Sequence, residues 1–329
     1  MIRFFKTTQP AALFAIPLIV ILLWAHQVFS FTVPADTFQM PLWSLVRSFF
    51  SVFPSWLNLL IFCALISWQA IYFNLLINKH EVLYKNSYLP ALFFVLFVSS
   101  MPSFQQIHPL HLVNLIVLRI FDKLFSLHQN SKTISTIFDC GFLAGVAALL
   151  YMPALPILIL LMFALAMMRP FSIREWLVLL ISYSIPFMFL SVIKFWNHEL
   201  ISFWESFFAR LSTRAPFFEI PKSSGVQFLG AVLLLILVIS LLRLRRNYYK
   251  NIIRVRVYQQ LQLLFFVLGF CSVFLSKEID LVHLLIFTIP VSLWYSYYFV
   301  SQKKKLWMGE GLLWLLVGSI LYCQFFDKV

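Results

Sequence analysis

Runs of apolar residues long enough to cross a lipid bilayer recur from one end of this chain to the other. A spanning helix needs about 20 mainly apolar residues, with its backbone hydrogen bonds satisfied inside the segment. Eleven stretches meet or approach that length: 11–31, 56–77, 87–102, 107–121, 134–151, 153–168, 176–193, 225–242, 258–275, 281–300 and 307–325. The third and fourth are short and meet at Pro102 and Pro109, as two tilted spans or a broken re-entrant pair. The fifth and sixth are parted only by Tyr151-Met152-Pro153, a tight hairpin. Composition agrees: 62% of residues are hydrophobic, 11% are charged and the mean hydropathy is +0.90. Soluble domains carry roughly 45–50% apolar and about 25% charged residues, so that class is excluded. The expected fold is an all-α polytopic transmembrane helix bundle of about eleven spans (10–11), one integral-membrane domain over 1–329 without soluble domain, linker or repeat.

The scarce charges are unevenly placed. Lys and Arg number 25 against 12 Asp and Glu, a net charge of +13. In a soluble chain this excess would suggest nucleic acid. Here the positive-inside rule accounts for it, because basic residues collect in cytoplasmic loops. With the N-terminus inside, eighteen of the 25 fall in inner segments, including Arg3, Lys6, Lys79, Lys85, Arg119, Lys123, Lys132, Arg169, Arg174, the Arg243–Arg256 cluster and Lys303–Lys305. The expected location is therefore the inner (cytoplasmic) membrane, multi-pass, with a cytoplasmic N-terminus and no nucleic-acid partner. Membrane lipids are the expected partners, and the Arg243–Arg256 cluster would attract anionic ones.

The run from Ala11 to Phe31 is too long for the h-region of a cleaved signal and lacks a good cleavage site, so it reads as a retained span. Cys63, Cys140, Cys271 and Cys323 all lie in apolar runs without a CxxC pair and read as small buried residues.

Two outer segments exceed simple turns. The first, 32–55, has apolar residues at helical spacing from Leu42 onward; the second, 194–224, carries Trp196, Phe203, Trp204, Phe207 and Phe208. Both read as amphipathic helices at the membrane interface. They hold Asp36 and Arg47, then His198, Glu199, Glu205, Arg210 and Arg214. A carboxylate there can act as a general base, and arginines can clamp a phosphate. Asp36 is the candidate catalytic acid, with Arg47, His198, Glu199, Arg210 and Arg214 as candidate substrate or phosphate ligands; plain solvated loop charges are the alternative.

At membrane depth the notable ionisable residue is Asp139, in a helix with Gly141, Ala144 and Gly145 suited to close packing. It is either a functional carboxylate or a structural partner of Lys132 or Arg119. The seven histidines read as lone interfacial residues, and neither a metal site nor a cofactor is expected. Nucleotide-binding and hydrolase signatures are absent from the sequence.

Three polar islands carry a resemblance. Asn78-Lys-His-Glu-Val-Leu-Tyr-Lys-Asn-Ser-Tyr-Leu-Pro90, Ile137-Phe-Asp139-Cys-Gly-Phe-Leu-Ala-Gly145-Val-Ala-Ala-Leu-Leu-Tyr151 and Arg169-Pro-Phe-Ser-Ile-Arg174-Glu-Trp176 together resemble an uncharacterised integral-membrane family of Bacteroidota. More distantly, the architecture is similar to the GT-C glycosyltransferases, which use polyprenyl-phosphate sugars. That likeness implies a first-loop acid, to which Asp36 corresponds, although Asp36 has no acidic neighbour. Three functions fit at this stage: an enzyme handling a polyprenyl-phosphate-linked sugar or lipid carrier at the outer leaflet, a transporter or flippase using Asp139, and a non-catalytic assembly subunit.

Overall fold

The computed structural model describes residues 1–7, 9–27, 31, 40–127, 133–212, 223–275, 280–302 and 306–325. Among them the chain forms fourteen α-helices, joined by short 3-10 turns, and no strand. Eight helical stretches are long and apolar enough to cross a membrane. The fold is that of an all-helical membrane protein.

Along the first half run α1 (Ile2–Lys6), α2 (Pro10–Trp24), α3 (Pro41–Ser51), α4 (Ser55–Lys79), α5 (Leu89–Val98), α6 (Pro109–Ser126) and α7 (Thr133–Leu150). The second half holds α8 (Ile157–Met168), α9 (Ile173–Trp196), α10 (Leu200–Ser212), α11 (Ser224–Asn247), α12 (Ile253–Ser272), α13 (Thr288–Ser301) and α14 (Leu306–Phe325). Proline opens α2, α3, α5 and α6, where its fixed φ and missing N–H cost a helix nothing. Side chains cap two starts: His108 Nδ1 accepts from Leu110 N–H, and Ser223 Oγ accepts from Val226 N–H.

Three expected spans depart from their boundaries. The 87–102 run becomes a ten-residue α5 followed by a 3-10 turn at Pro102–Gln105. The 153–168 run becomes the twelve-residue α8 behind a 3-10 turn at Met152–Ala154. The 107–121 run is overshot, because α6 continues to Ser126 and carries Arg119, Asp122 and Lys123 in its last turns.

α5 and α13 form the centre. All ten residues of α5 are buried, as are Thr288–Val300 of α13. A helix that is apolar on every side finds partners on every side. α9 is the opposite case. Only 17% of its apolar stretch is buried, and Ile181, Met188, Phe189, Val192 and Ile193 face outward. It is held chiefly by α7, through Gly141 and Gly145, which lie against the α9 backbone at Leu179 and Tyr183. The ascending pairing (141 to 179, 145 to 183) shows that α7 and α9 run parallel. Three cysteines are buried as expected; Cys271 is exposed, because its side of α12 faces outward.

Polar contacts gather the C-terminal ends of α1, α4, α6, α11 and α13 and the N-terminal end of α12 at one end of the bundle. Lys6 Nζ donates to the Gln302 carbonyl at 2.7 Å, Arg243 Nε to Ser301 Oγ at 3.1 Å, and Arg254 Nη2 to Glu81 Oε2 at 3.0 Å. Tyr84 Oη donates to the Val300 carbonyl. We term this the basic end. At the other end Trp24 Nε1 donates to Ser99 Oγ at 2.9 Å, and Asn58 Nδ2 ties α4 to the Phe50 carbonyl of α3 at 2.9 Å.

Candidate functional site

At the end away from the basic cluster, α9 stops in a Schellman turn. Glu199 N–H donates to the Lys194 carbonyl (2.9 Å) and His198 N–H to that of Phe195 (3.0 Å), with His198 at φ 58°. Glycine usually holds this left-handed position; histidine tolerates it at a cost. The turn reverses the chain into α10 and brings Glu199 beside Lys194, with Nζ to Oε2 at 2.6 Å.

α10 then lays Ser202, Ser206 and Arg210 along one face, four residues apart, toward the N-terminal end of α3. Together with Met40, Pro41, Ser44, Lys194, Glu199, Phe203 and Phe207 they line a polar cavity of about 270 Å³. The three serine hydroxyls donate to carbonyls of their own helical turns, Ser44 to Pro41, Ser202 to Glu199 and Ser206 to Phe203. Their oxygen lone pairs are therefore what they offer a ligand. Two cations and one carboxylate leave the lining with an excess of positive charge.

Phe207 is also a wall of a second hollow, an apolar groove of about 550 Å³ along α9 lined by Leu155, Tyr183, Phe187, Met188, Val192 and Trp204. Two serines border it, but Ser184 and Ser191 give their protons to the Leu180 and Phe187 carbonyls. Phe207 packs edge-on against Phe187, with ring centroids 6.1 Å apart, and against Trp204, at 5.6 Å. A polar chamber and an apolar trough thus share one aromatic wall, the arrangement an amphiphile requires.

The expected outer-loop residues divide accordingly. Glu199 and Arg210 meet in the cavity. Arg47 lies one turn beyond Ser44 and outside the lining, and His198 serves the turn with its backbone. Asp36 and Arg214 lie outside the described residues; the chain reaches the cavity wall at Met40, four residues after Asp36. Lys194 and the three serines are additions. Lys194 sits at the end of an apolar run, where it reads as a boundary charge.

Asp139 is bound by Lys123 Nζ at 2.7 Å, in a pair whose side chains are 37% and 43% exposed. Among the described residues the partner is Lys123 and not Arg119. Lys132 lies outside the described residues, and Arg119 instead stacks its guanidinium 4.5 Å from the Tyr72 ring centroid. The more strongly coordinated carboxylate is Asp122, one residue past the 107–121 run. It accepts from His80 Nε2 at 2.8 Å, Lys79 Nζ at 2.9 Å and Tyr72 Oη at 3.0 Å. The His80 hydrogen bond foremost, with those of Lys79 and Tyr72, holds its carboxyl well below the usual carboxylate range despite partial burial. Sequence reasoning did not single it out. The signal was Tyr72 and Lys79, two helical turns apart and so on one face of α4.

The histidines also need correcting. His108, His111 and His283 are buried, not interfacial. His283 turns inward, sharing hydrogen bonds of 2.9 Å with Tyr151 Oη and 3.0 Å with Ser272 Oγ, while the His108 ring packs edge-on against Tyr151. His111 Nε2 bonds the Phe104 carbonyl at 3.0 Å. Among the described residues no three His, Cys, Asp or Glu side chains come together in a metal-holding group.

Compared with known proteins, the chain matches no family model, no curated protein and no solved structure.

Proposed function

We propose that this chain is a ten- or eleven-span inner-membrane protein, basic end in the cytoplasm, that handles a polyprenyl-phosphate-linked sugar or another phosphate-bearing lipid carrier at the outer leaflet. The concentration of basic residues at one end supports that orientation. α3 and α10, each amphipathic, would lie at the outer interface.

The observation that carries the function is the shared Phe207 wall. The cavity offers Arg210 and Lys194 to a phosphate and the lone pairs of three serine hydroxyls to the hydroxyl donors of a sugar, and the groove beside it offers carbon to a hydrocarbon chain. Arg210 would grip phosphate oxygens in the bidentate manner of a guanidinium. Glu199 holds Lys194 in place. Asp36, four residues before Met40 in the sequence, would act as base on an acceptor hydroxyl, the role that the GT-C likeness implies. The flippase reading through Asp139 has less support, because that carboxylate is already neutralised by Lys123 and half exposed.

The test is binding of a polyprenyl phosphate to the purified chain in nanodiscs, followed by sugar transfer. Losing one charge-assisted contact costs roughly 1.5–3 kcal/mol, so Arg210→Ala should weaken binding on the order of 10- to 100-fold. Asp36→Asn should leave binding intact and abolish transfer. Undiminished binding by Arg210→Ala overturns the phosphate site; undiminished transfer by Asp36→Asn overturns the base.

A further inference from the structure

The segment Arg243–Arg256 holds six basic residues and no acidic one. Two of the six are engaged internally. Arg243 donates to both the hydroxyl and the carbonyl of Ser301, closing the end of α13, and Arg254 pairs with Glu81. Arg245, Arg246 and Lys250 are exposed, with no carboxylate partner among the described residues. Arg256 Nε is shut off from solvent and has no hydrogen-bond partner among them either.

The turn that carries these cations is pinned. Gln260 Nε2 donates to Tyr248 Oη at 2.8 Å, Asn251 N–H to the Tyr248 carbonyl at 3.2 Å, and Asn251 Nδ2 to Gln259 Oε1 at 3.3 Å. Beside the cations stand Tyr249, Ile252 and Ile253, each more than two-thirds exposed. Fixed unpaired cations next to bare aromatic and aliphatic side chains match the boundary between phosphate headgroups and acyl chains.

We propose that the turn joining α11 to α12 is a binding site for the headgroup of an anionic phospholipid in the leaflet at the basic end. Arg245, Arg246 and Lys250 take the phosphate, while Tyr249, Ile252 and Ile253 enter the acyl boundary. Charge complementarity selects anionic over zwitterionic lipid, and the apolar trio selects a lipid over free phosphate. This site is independent of the outer cavity.

Thermal unfolding in a neutral detergent, followed by tryptophan fluorescence, tests it with three additives: phosphatidylglycerol, phosphatidylcholine and inorganic phosphate. Phosphatidylglycerol should raise Tm, and the other two should not. Each cation contributes about a fivefold affinity, so the triple variant Arg245→Gln/Arg246→Gln/Lys250→Gln should need on the order of 100-fold more phosphatidylglycerol. The variant Arg3→Gln/Lys85→Gln/Arg174→Gln removes equal charge from exposed positions elsewhere at the basic end and should respond like the native chain. An equal loss in both triples, an equal response to phosphatidylcholine, or a full response to phosphate alone would each overturn the proposal. If the first triple does not fold, Lys250→Gln alone should need roughly fivefold more lipid, and an unchanged response would overturn the proposal.

Discussion

Replacing Gly145 by alanine tests how the outer cavity is held in place. A Cβ built at Gly145 would stand 2.5 Å from the Tyr183 carbonyl oxygen and 3.0 Å from Pro186 Cγ. A carbon–oxygen contact relaxes near 3.3 Å, so the α9 backbone must retreat by about 0.8 Å. No rotamer change relieves this, because the obstacles are a main-chain oxygen and a proline ring. α9 has little else to hold it, with 17% of its apolar stretch buried. Overpacking of this kind costs typically 1–3 kcal/mol, which for a chain of 329 residues corresponds to a Tm lowered by about 1.5–4 °C. Gly141 differs in one respect. Its Cβ would meet Ser182 Oγ at 2.0 Å as well as the Leu179 carbonyl at 2.8 Å, and the first of these can swing away. Ser182→Gly should therefore recover part of the loss in Gly141→Ala and none of that in Gly145→Ala. Gly311 and Gly318 supply the control, since nothing lies within 4 Å of a Cβ at either. Alanine there should be neutral or stabilising by about 0.5–1 kcal/mol. Thermal unfolding in detergent and in nanodiscs reads all of these variants. A Tm for Gly145→Ala equal to that of Gly318→Ala would refute the close α7–α9 contact.

Other positions give sharp expectations. His198→Gly should raise stability by about 0.5–1 kcal/mol and leave phosphate-lipid binding unchanged, because the residue supplies a left-handed backbone to the turn; weakened binding would show that its ring contacts the ligand. Asp122→Asn should cost about 2–4 kcal/mol, because it leaves the buried His80 and the half-buried Tyr72 without their ionic acceptor; a Tm shift under 1 °C would contradict that. Since the Asp122 carboxyl is held below its ordinary value, its contribution is full above the usual carboxylate range and fades only as pH falls well beneath it. The difference in Tm between Asp122→Asn and the native chain should accordingly stay constant from pH 8 to pH 5. Asp139→Asn should cost under about 1 kcal/mol, as expected of a partly exposed pair, and a larger loss would point to a role beyond pairing.

Apolar runs announced α4, α7, α9, α11, α12 and α14, together with the stretches through α2 and α13, because each is long enough to be recognised by length alone. They could not say which helices turn inward. α9 has the higher mean hydropathy of 2.1 and is 17% buried, whereas the stretch through α13 has 1.4 and is 89% buried. In water that order would be reversed; in lipid the surroundings are as apolar as the interior, so hydrophobicity ceases to sort inside from outside. Small and polar residues sort them instead. Gly141 and Gly145 marked a close helix contact, and the structure supplies α9 as its partner. His283 and Asp122 were missed because their partners lie 132 and 42 residues away, at Tyr151 and His80. The cavity was half legible: Glu199 and Arg210 stood out as loop charges, while Ser202 and Ser206 became meaningful only on the α10 face that turns toward α3.

The burial of α5 and α13 against each other has a consequence for biosynthesis. Every residue of α5 is inside the finished bundle, yet its partner begins almost 200 residues later, at Thr288. Lys6 waits for the carbonyls of Phe299 and Gln302, and Ser99 for Gln324. While the ribosome is still making α12, the centre of the protein must be occupied by something other than protein. In a bilayer that occupant is lipid, which has to be expelled when α13 arrives. Assembly therefore finishes from the outside inward, and the last helices inserted complete the core that the first ones began.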